Sequence, residues 1–136
     1  MRLLIVDDSL AVRLLMERFL SPHAECVTAA GGDEALEAFA HALDAAPFDA
    51  VLTDLNMPFM DGHELLSTLR GVEQSRGVPD ERRFKAVVVT SFDDREEQRR
   101  CREDDRVSAF VVKPFTEQGL VDALAGAGIL PPGSAG

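Results

Sequence analysis

Five short apolar runs, none with a clean apolar–polar alternation, set the strongest limit on how this chain can fold. They are "LLIV" (3–6), "ECVTA" (25–29), "DAVLT" (49–53), "AVVVT" (86–90) and "AFVVK" (109–113). A strand with one wet face alternates, whereas β-branched runs that stay mostly apolar belong to parallel strands covered on both faces. Amphipathic stretches lie between them. "SLAVRLLMERFL" places apolar residues at 10, 11, 14, 15 and 19, at helical spacing, with Ser9 as the N-cap. "GDEALEAFAHAL" repeats the pattern through Leu36, Phe39, Ala40 and Leu43, and "GHELLSTLR" through Leu65, Leu66 and Leu69. "TEQGLVDALAG" closes the series. Five strand-then-helix units with right-handed crossovers define an α/β chain with a doubly wound, five-stranded parallel sheet.

The 136 residues are enough for one domain with a continuous core that needs no metal or disulfide staple. That domain is read as residues 1–127, and the Pro/Gly-rich ending "GILPPGSAG" makes 128–136 a flexible tail. A formal charge of −10 excludes non-specific nucleic-acid binding, which needs a cationic face, and fits no anionic membrane surface. No apolar run approaches the ~18–20 residues of a membrane span, and "MRLLIVDDS" reaches its acids too soon for a signal peptide. The expected location is the cytoplasm. Cys26 and Cys101 sit in no metal or redox spacing and read as free structural thiols.

Two regions fit the alternation less well. "GVEQSRGVPDERRF" (71–84) is a long polar connection where such loops run to about 2–6 residues. "DDREEQRRCREDDR" (93–106) occupies the place of the fourth helix, yet Cys101 is its only apolar residue. Pairs such as Glu96–Arg100 and Arg100–Asp104 support a solvated helix weakly and cannot anchor it. The expectation is a helix seated shallowly on the sheet, or mobile.

Ligands of an open parallel sheet bind beyond the carboxyl ends of its strands, where strand order reverses. The first strand ends in Asp7 and Asp8, the third in Asp54, the fourth in Thr90 and Ser91, the fifth in Lys113. The second ends in "TAAGGD", with nothing comparable. If the strand order is 2-1-3-4-5, Asp7, Asp8 and Asp54 converge, and three carboxylates repel unless a cation sits among them. Carboxylate oxygens with a carbonyl and waters suit Mg²⁺. A central carboxylate beside such an ion points to attack by Asp on phosphorus, forming an acyl phosphate, with Lys113 and Thr90 neutralising the phosphoryl oxygens.

The chain resembles the receiver domains of bacterial two-component response regulators, over residues 2–126. The resemblance is carried by "VDDS" at 6–9, "DLNMPFMDG" at 54–62, "VVVTS" at 87–91 and "FVVKPF" at 110–115. It implies the flavodoxin-like, CheY-like (βα)5 fold and its 2-1-3-4-5 order, which the spacing alone does not supply. It also implies Asp54 as phosphoacceptor, and Mg²⁺ held by Asp7, Asp8, Asp54 and the Asn56 main-chain carbonyl. Lys113 would bind the phosphoryl group, before a cis Lys113–Pro114 peptide. Thr90 and Phe110 take the positions of the switch hydroxyl and switch aromatic, although a phenylalanine ring has no hydroxyl to hold it outward. The implied output face is built from the fourth helix, fifth strand and fifth helix.

The segment before the fifth strand, "CREDDRVSAF", departs from the family's "A-x-x-x-G-A" pattern, which puts the output surface in question. Phe92, two after Thr90, takes a position that, by the resemblance, would influence water attack on the phosphoryl group. The resulting expectation is a stand-alone receiver rather than an enzyme in the usual sense. It would be phosphorylated by a histidine kinase or histidine phosphotransfer protein and act on a protein target in phosphorelay signalling or motility, with a homodimer as an allowed assembly. The alternatives are an N-terminal receiver of a longer regulator and a phosphate-independent interaction module. A small Mg²⁺ phosphatase is disfavoured, because such enzymes need an Asp where this chain has Asn56.

Overall fold

The computed structural model describes residues 1–131, and in it every apolar run lies in a strand and every amphipathic stretch in a helix. The elements are β1 (Arg2–Val6), α1 (Leu10–Leu20), β2 (Glu25–Ala29), α2 (Gly32–Leu43), β3 (Ala50–Asp54) and α3 (Gly62–Ser75). A 3-10 turn (Asp80–Arg82) follows, then β4 (Lys85–Ser91), α4 (Arg95–Glu103), β5 (Val107–Lys113) and α5 (Glu117–Gly126). All pairings are parallel, in the order β2-β1-β3-β4-β5. This is the flavodoxin-like fold that the resemblance implies.

Both faces of the sheet are covered, which is why its strands do not alternate. Leu3, Ile5, Leu52, Val87, Val89 and Val111 pack on one side with Met16 and Leu20 of α1 and with Leu120, Val121 and Leu124 of α5. Leu4, Val6, Val51 and Ala86 face the other way, against Phe39 of α2 and Leu65 and Leu69 of α3. Side chains alternate across a strand, so β1 to β4 each feed both cores, while Val107 and Phe110 of β5 pack with Leu55, Val88 and Cys101 instead.

The polar connection expected over 71–84 is partly helix, because α3 runs on to Ser75. The reason is a buried carboxylate. Glu73 is 2% exposed; its Oε2 accepts the Phe84 N–H at 2.8 Å and its Oε1 accepts from Arg70 at 3.0 Å. The Arg70 guanidinium lies 3.8 Å from the centre of the Phe84 ring. A side chain that reads as loop is thus a clamp between α3 and the start of β4.

The expected tail also starts too early. Gly128 takes φ +75°, the left-handed turn that lets a chain reverse after a helix. Ile129 and Leu130 are buried against the α1–α5 core, so these two residues are core rather than tail. The remainder of that segment, 132–136, lies outside the described residues.

The charged segment does form α4, with Asp94 as N-cap and Cys101 buried against Leu55 and Val88. A fully buried aliphatic side chain stabilises by about 1.5–3 kcal/mol. α5 buries Leu120, Val121 and Leu124, whereas α4 has one thiol, so apolar packing holds it least. Polar ties supplement it. Gln98 Nε2 donates to the carbonyls of Ser91 and Phe92 at 3.0 and 3.1 Å, and His63 Nε2 lies 2.6 Å from Glu97 Oε2. The pairs expected at Glu96–Arg100 and Arg100–Asp104 are replaced. Arg99 bridges Glu96 and Glu103, Arg100 pairs with Glu97, and Arg106 takes Asp104.

Candidate functional site

At the carboxyl end of the sheet, the loops after β1, β3, β4 and β5 meet. β1 and β3 are adjacent, so Asp7 and Asp8, just past β1, stand beside Asp54, the last residue of β3. Carboxylate oxygens of Asp7, Asp8 and Asp54 lie within 4.8 Å of one another. Asp7 is fully buried and Asp54 is 7% exposed, while Asp8 faces solvent.

Lys113 supplies the cation such a cluster requires. Its Nζ donates to Asp7 Oδ2 at 2.9 Å and to Asp54 Oδ2 at 3.1 Å. Burial of the ammonium opposes its charge, but the hydrogen bonds and Coulombic pull of Asp7 and Asp54 outweigh that, and the Lys113 pKa is raised. The Lys113–Pro114 peptide is cis.

Backbone groups orient the acids. Asp7 Oδ1 accepts the Ser9 N–H at 2.9 Å, and Asp54 Oδ1 accepts the Asn56 N–H at 3.1 Å. A side chain at position 62 would place its Cβ 2.4 Å from the Asp54 carbonyl oxygen, so only glycine lets α3 begin this close to the acid. Phe59, in the same loop, takes φ 71° and is fully exposed. An aromatic residue is held there in a backbone region that L side chains rarely adopt.

Thr90, near the end of β4, is fully buried, and its hydroxyl has no hydrogen-bond partner among the described residues. Such an atom costs free energy until an acceptor reaches it. Phe110 is half-buried against Leu55, Val88 and Cys101. Asp7, Asp8, Asp54 and Lys113 are therefore brought together, Asn56 contributes its N–H, and Thr90 and Phe110 lie toward α4.

Sequence reasoning missed Arg13, whose Nη1 donates to the Asp7 carbonyl at 2.7 Å. Its signal is present in hindsight, because it lies one turn into α1, within reach of the residue that precedes the helix. It also missed the apolar surroundings. A cleft of about 440 Å³ beside Lys113 is lined by Val12, Leu15, Phe92 and Phe115. Leu10, Leu14, Phe59 and Phe92 are 60%, 55%, 105% and 66% exposed, so large apolar side chains on α1 and on the loops after β3 and β4 remain open to a partner.

No helix among the described residues is long and apolar enough to cross a membrane. Residues 3–125 match the response regulator receiver domain. The sensory/regulatory protein RpfC of Xanthomonas campestris is 36% identical over 126 residues, covering 92% of this chain but only 16% of that protein's length. The chemotaxis protein CheY of Pseudomonas aeruginosa is 31% identical, over 91% of this chain and 93% of its own. Among solved structures, the Vibrio cholerae chemotaxis protein CheY4 superimposes with a TM-score of 0.71 at 30% identity, covering 93% of this chain and 97% of that one. With the acids, lysine and threonine at its strand ends, the chain belongs to the response regulator receiver domain family of two-component signalling.

Proposed function

We propose that this receiver accepts a phosphoryl group on Asp54 from a phosphohistidine of a histidine kinase or histidine phosphotransfer protein. The observation that carries this reading is the buried Asp54 carboxylate, paired with Lys113 at 3.1 Å in the same site as a threonine hydroxyl without a partner. A carboxylate oxygen of Asp54 attacks phosphorus, forming the O–P bond of an acyl phosphate. The P–N bond to the donor histidine breaks, and its electron pair returns to the imidazole nitrogen, which takes up a proton. Lys113 offsets negative charge on the transferred phosphoryl oxygens, and Thr90 donates its hydroxyl to one of them.

The donor set fits a hard divalent cation: three convergent carboxylates, one open to solvent. Asp7, Asp8, Asp54 and the Asn56 carbonyl would hold Mg²⁺, which supplies charge neutralisation at the phosphoryl oxygens when bound. Because the group modified in this reading is the chain's own Asp54, we read it as a signalling phosphoacceptor rather than an enzyme. The exposed apolar side chains around the site suit a protein donor, which buries them on docking.

Engagement of Thr90 by the phosphoryl group shifts the population toward a state in which Phe110 moves and the α4–β5–α5 face is repacked. That face binds the downstream protein in a phosphorelay or motility response. A homodimer is compatible with the reading, as is a place for this domain in a longer regulator.

The test is incubation with Mg²⁺ and acetyl phosphate followed by intact mass measurement. A single hydroxylamine-labile phosphoryl adduct, absent from Asp54→Ala, is expected. No adduct with acetyl phosphate or with any histidine kinase would refute the reading.

A further inference from the structure

One guanidinium of α4 is set over the aromatic side chain that occupies the switch position. Arg102 Cζ lies 5.5 Å from the centre of the Phe110 ring. Its neighbours Arg99, Arg100 and Arg106 are all spent on carboxylates, but Arg102 makes no ion pair among the described residues. The ring beneath it is half-buried over Leu55, Val88 and Cys101.

The sheet register ties this contact to the site. Phe110 pairs with Val88 and Thr90 with Val112. Residues two apart on a strand share a face, so Thr90 and Phe110 are diagonal neighbours on the side of the sheet that α4 covers. A group that draws on the unpartnered Thr90 hydroxyl therefore acts beside the ring that Arg102 caps.

We infer that Arg102 is a positioning residue that holds Phe110 in this half-exposed arrangement, and that loss of the guanidinium–ring contact accompanies the change of state. The inference rests on the reading of Asp54 and Thr90 given above. A phenylalanine has no hydroxyl with which to anchor its outward position, and a cation over the ring face is the directional attraction left to it. Arginine suits the task better than lysine, since its planar, weakly hydrated head stacks on rings. A contact made in one of two states favours that state by its whole strength. An exposed cation–π contact corresponds to about a 2- to 5-fold bias, which lowers the apparent affinity of any ligand that requires the other state.

The chain has no tryptophan, so Phe110→Trp installs a single indole whose emission reports its exposure. In that background, Arg102→Gln is expected to shift emission to the blue, with Arg102→Lys intermediate. With Phe110 in place, Arg102→Gln should bind beryllofluoride, a non-covalent phosphoryl mimic, about 2- to 5-fold more tightly in the presence of Mg²⁺. In a Phe110→Leu background the same substitution should change nothing. Unchanged emission together with unchanged affinity would overturn the inference. So would an equal gain with Phe110→Leu, because Arg102 would then act through its charge rather than the ring. Failure of the unsubstituted protein to bind beryllofluoride would count against the Asp54 reading, while the emission comparison still decides the role of Arg102.

Discussion

Lys113 Nζ donates to Asp54 Oδ2 at 3.1 Å across 59 residues of chain, and this pair joins the edge strand β5 to the central strand β3. The same nitrogen reaches Asp7 at 2.9 Å. One ammonium thus balances two buried acids at the point where the strand order reverses.

Removing that ammonium leaves the carboxylates facing one another. Lys113→Met is expected to lower stability by about 1–3 kcal/mol in urea titrations. This falls short of the ~3–5 kcal/mol for breaking a fully buried pair, since the Lys113 side chain keeps 23% of its exposure. Added Mg²⁺ should restore more stability to the variant than to the unsubstituted protein. No stabilisation of either protein by Mg²⁺ would show that the acids do not form a cation site.

Part of the alkaline limb of the stability curve follows from the same residue. The Lys113 pKa is raised above its ordinary 10.5 in the fold, so the folded protein holds this proton more tightly than the unfolded chain. The contribution is then complete below the unfolded value and is lost as pH rises through the folded one. Stability between pH 7 and 10 should show no loss from this source, with a fall beginning above about pH 10.5. Cys26 and Cys101, pushed up to about 11 in the fold, add their own loss above about pH 9, so Lys113→Met should keep the thiol part of the fall and lose only the part due to Lys113.

Both thiols should be slow to alkylate. Burial, with Glu17 and Glu25 nearby, pushes Cys26 up to about 11. Burial, with Glu97 and Asp104, does the same to Cys101 against the opposing pull of Arg100 and Arg102. At pH 8 the native protein should react with iodoacetamide far more slowly than the unfolded chain, since the thiolate is the nucleophile. Mass spectrometry at timed intervals reads this directly.

Cys101→Ser removes the only apolar anchor of α4 and buries a hydroxyl in its place. Amide exchange across 95–103 should rise by about 5- to 150-fold, matching a local loss of about 1–3 kcal/mol. Exchange in β1 and β3 should stay nearly constant. A uniform rise over the whole chain would mean that α4 unfolds only with the rest of the domain.

Glu73 tests the clamp that ordered the supposed loop. Glu73→Ala strands the buried Phe84 N–H and frees Arg70, and is expected to cost about 2–4 kcal/mol of stability. Intact-mass phosphorylation by acetyl phosphate should persist at temperatures where the variant remains folded.

The amino-acid sequence determined a good deal unaided. Unalternating apolar runs require a parallel sheet covered on both sides, and Asp7, Asp8, Asp54, Thr90 and Lys113 are marked by standing at strand ends. Those features are local, because period and element boundary are written in neighbouring residues. What tertiary structure decided depends on distance across the fold. Glu73 reads as a loop acid until Phe84 offers it a buried N–H, and Ile129 and Leu130 read as tail until a left-handed turn at Gly128 returns them to the core. The ion pairs of α4 shift partners because rotamers choose among several neighbours at similar reach. Arg13 joins the site and Arg102 covers Phe110 for the same reason: one side chain bridges elements whose contact no local pattern records.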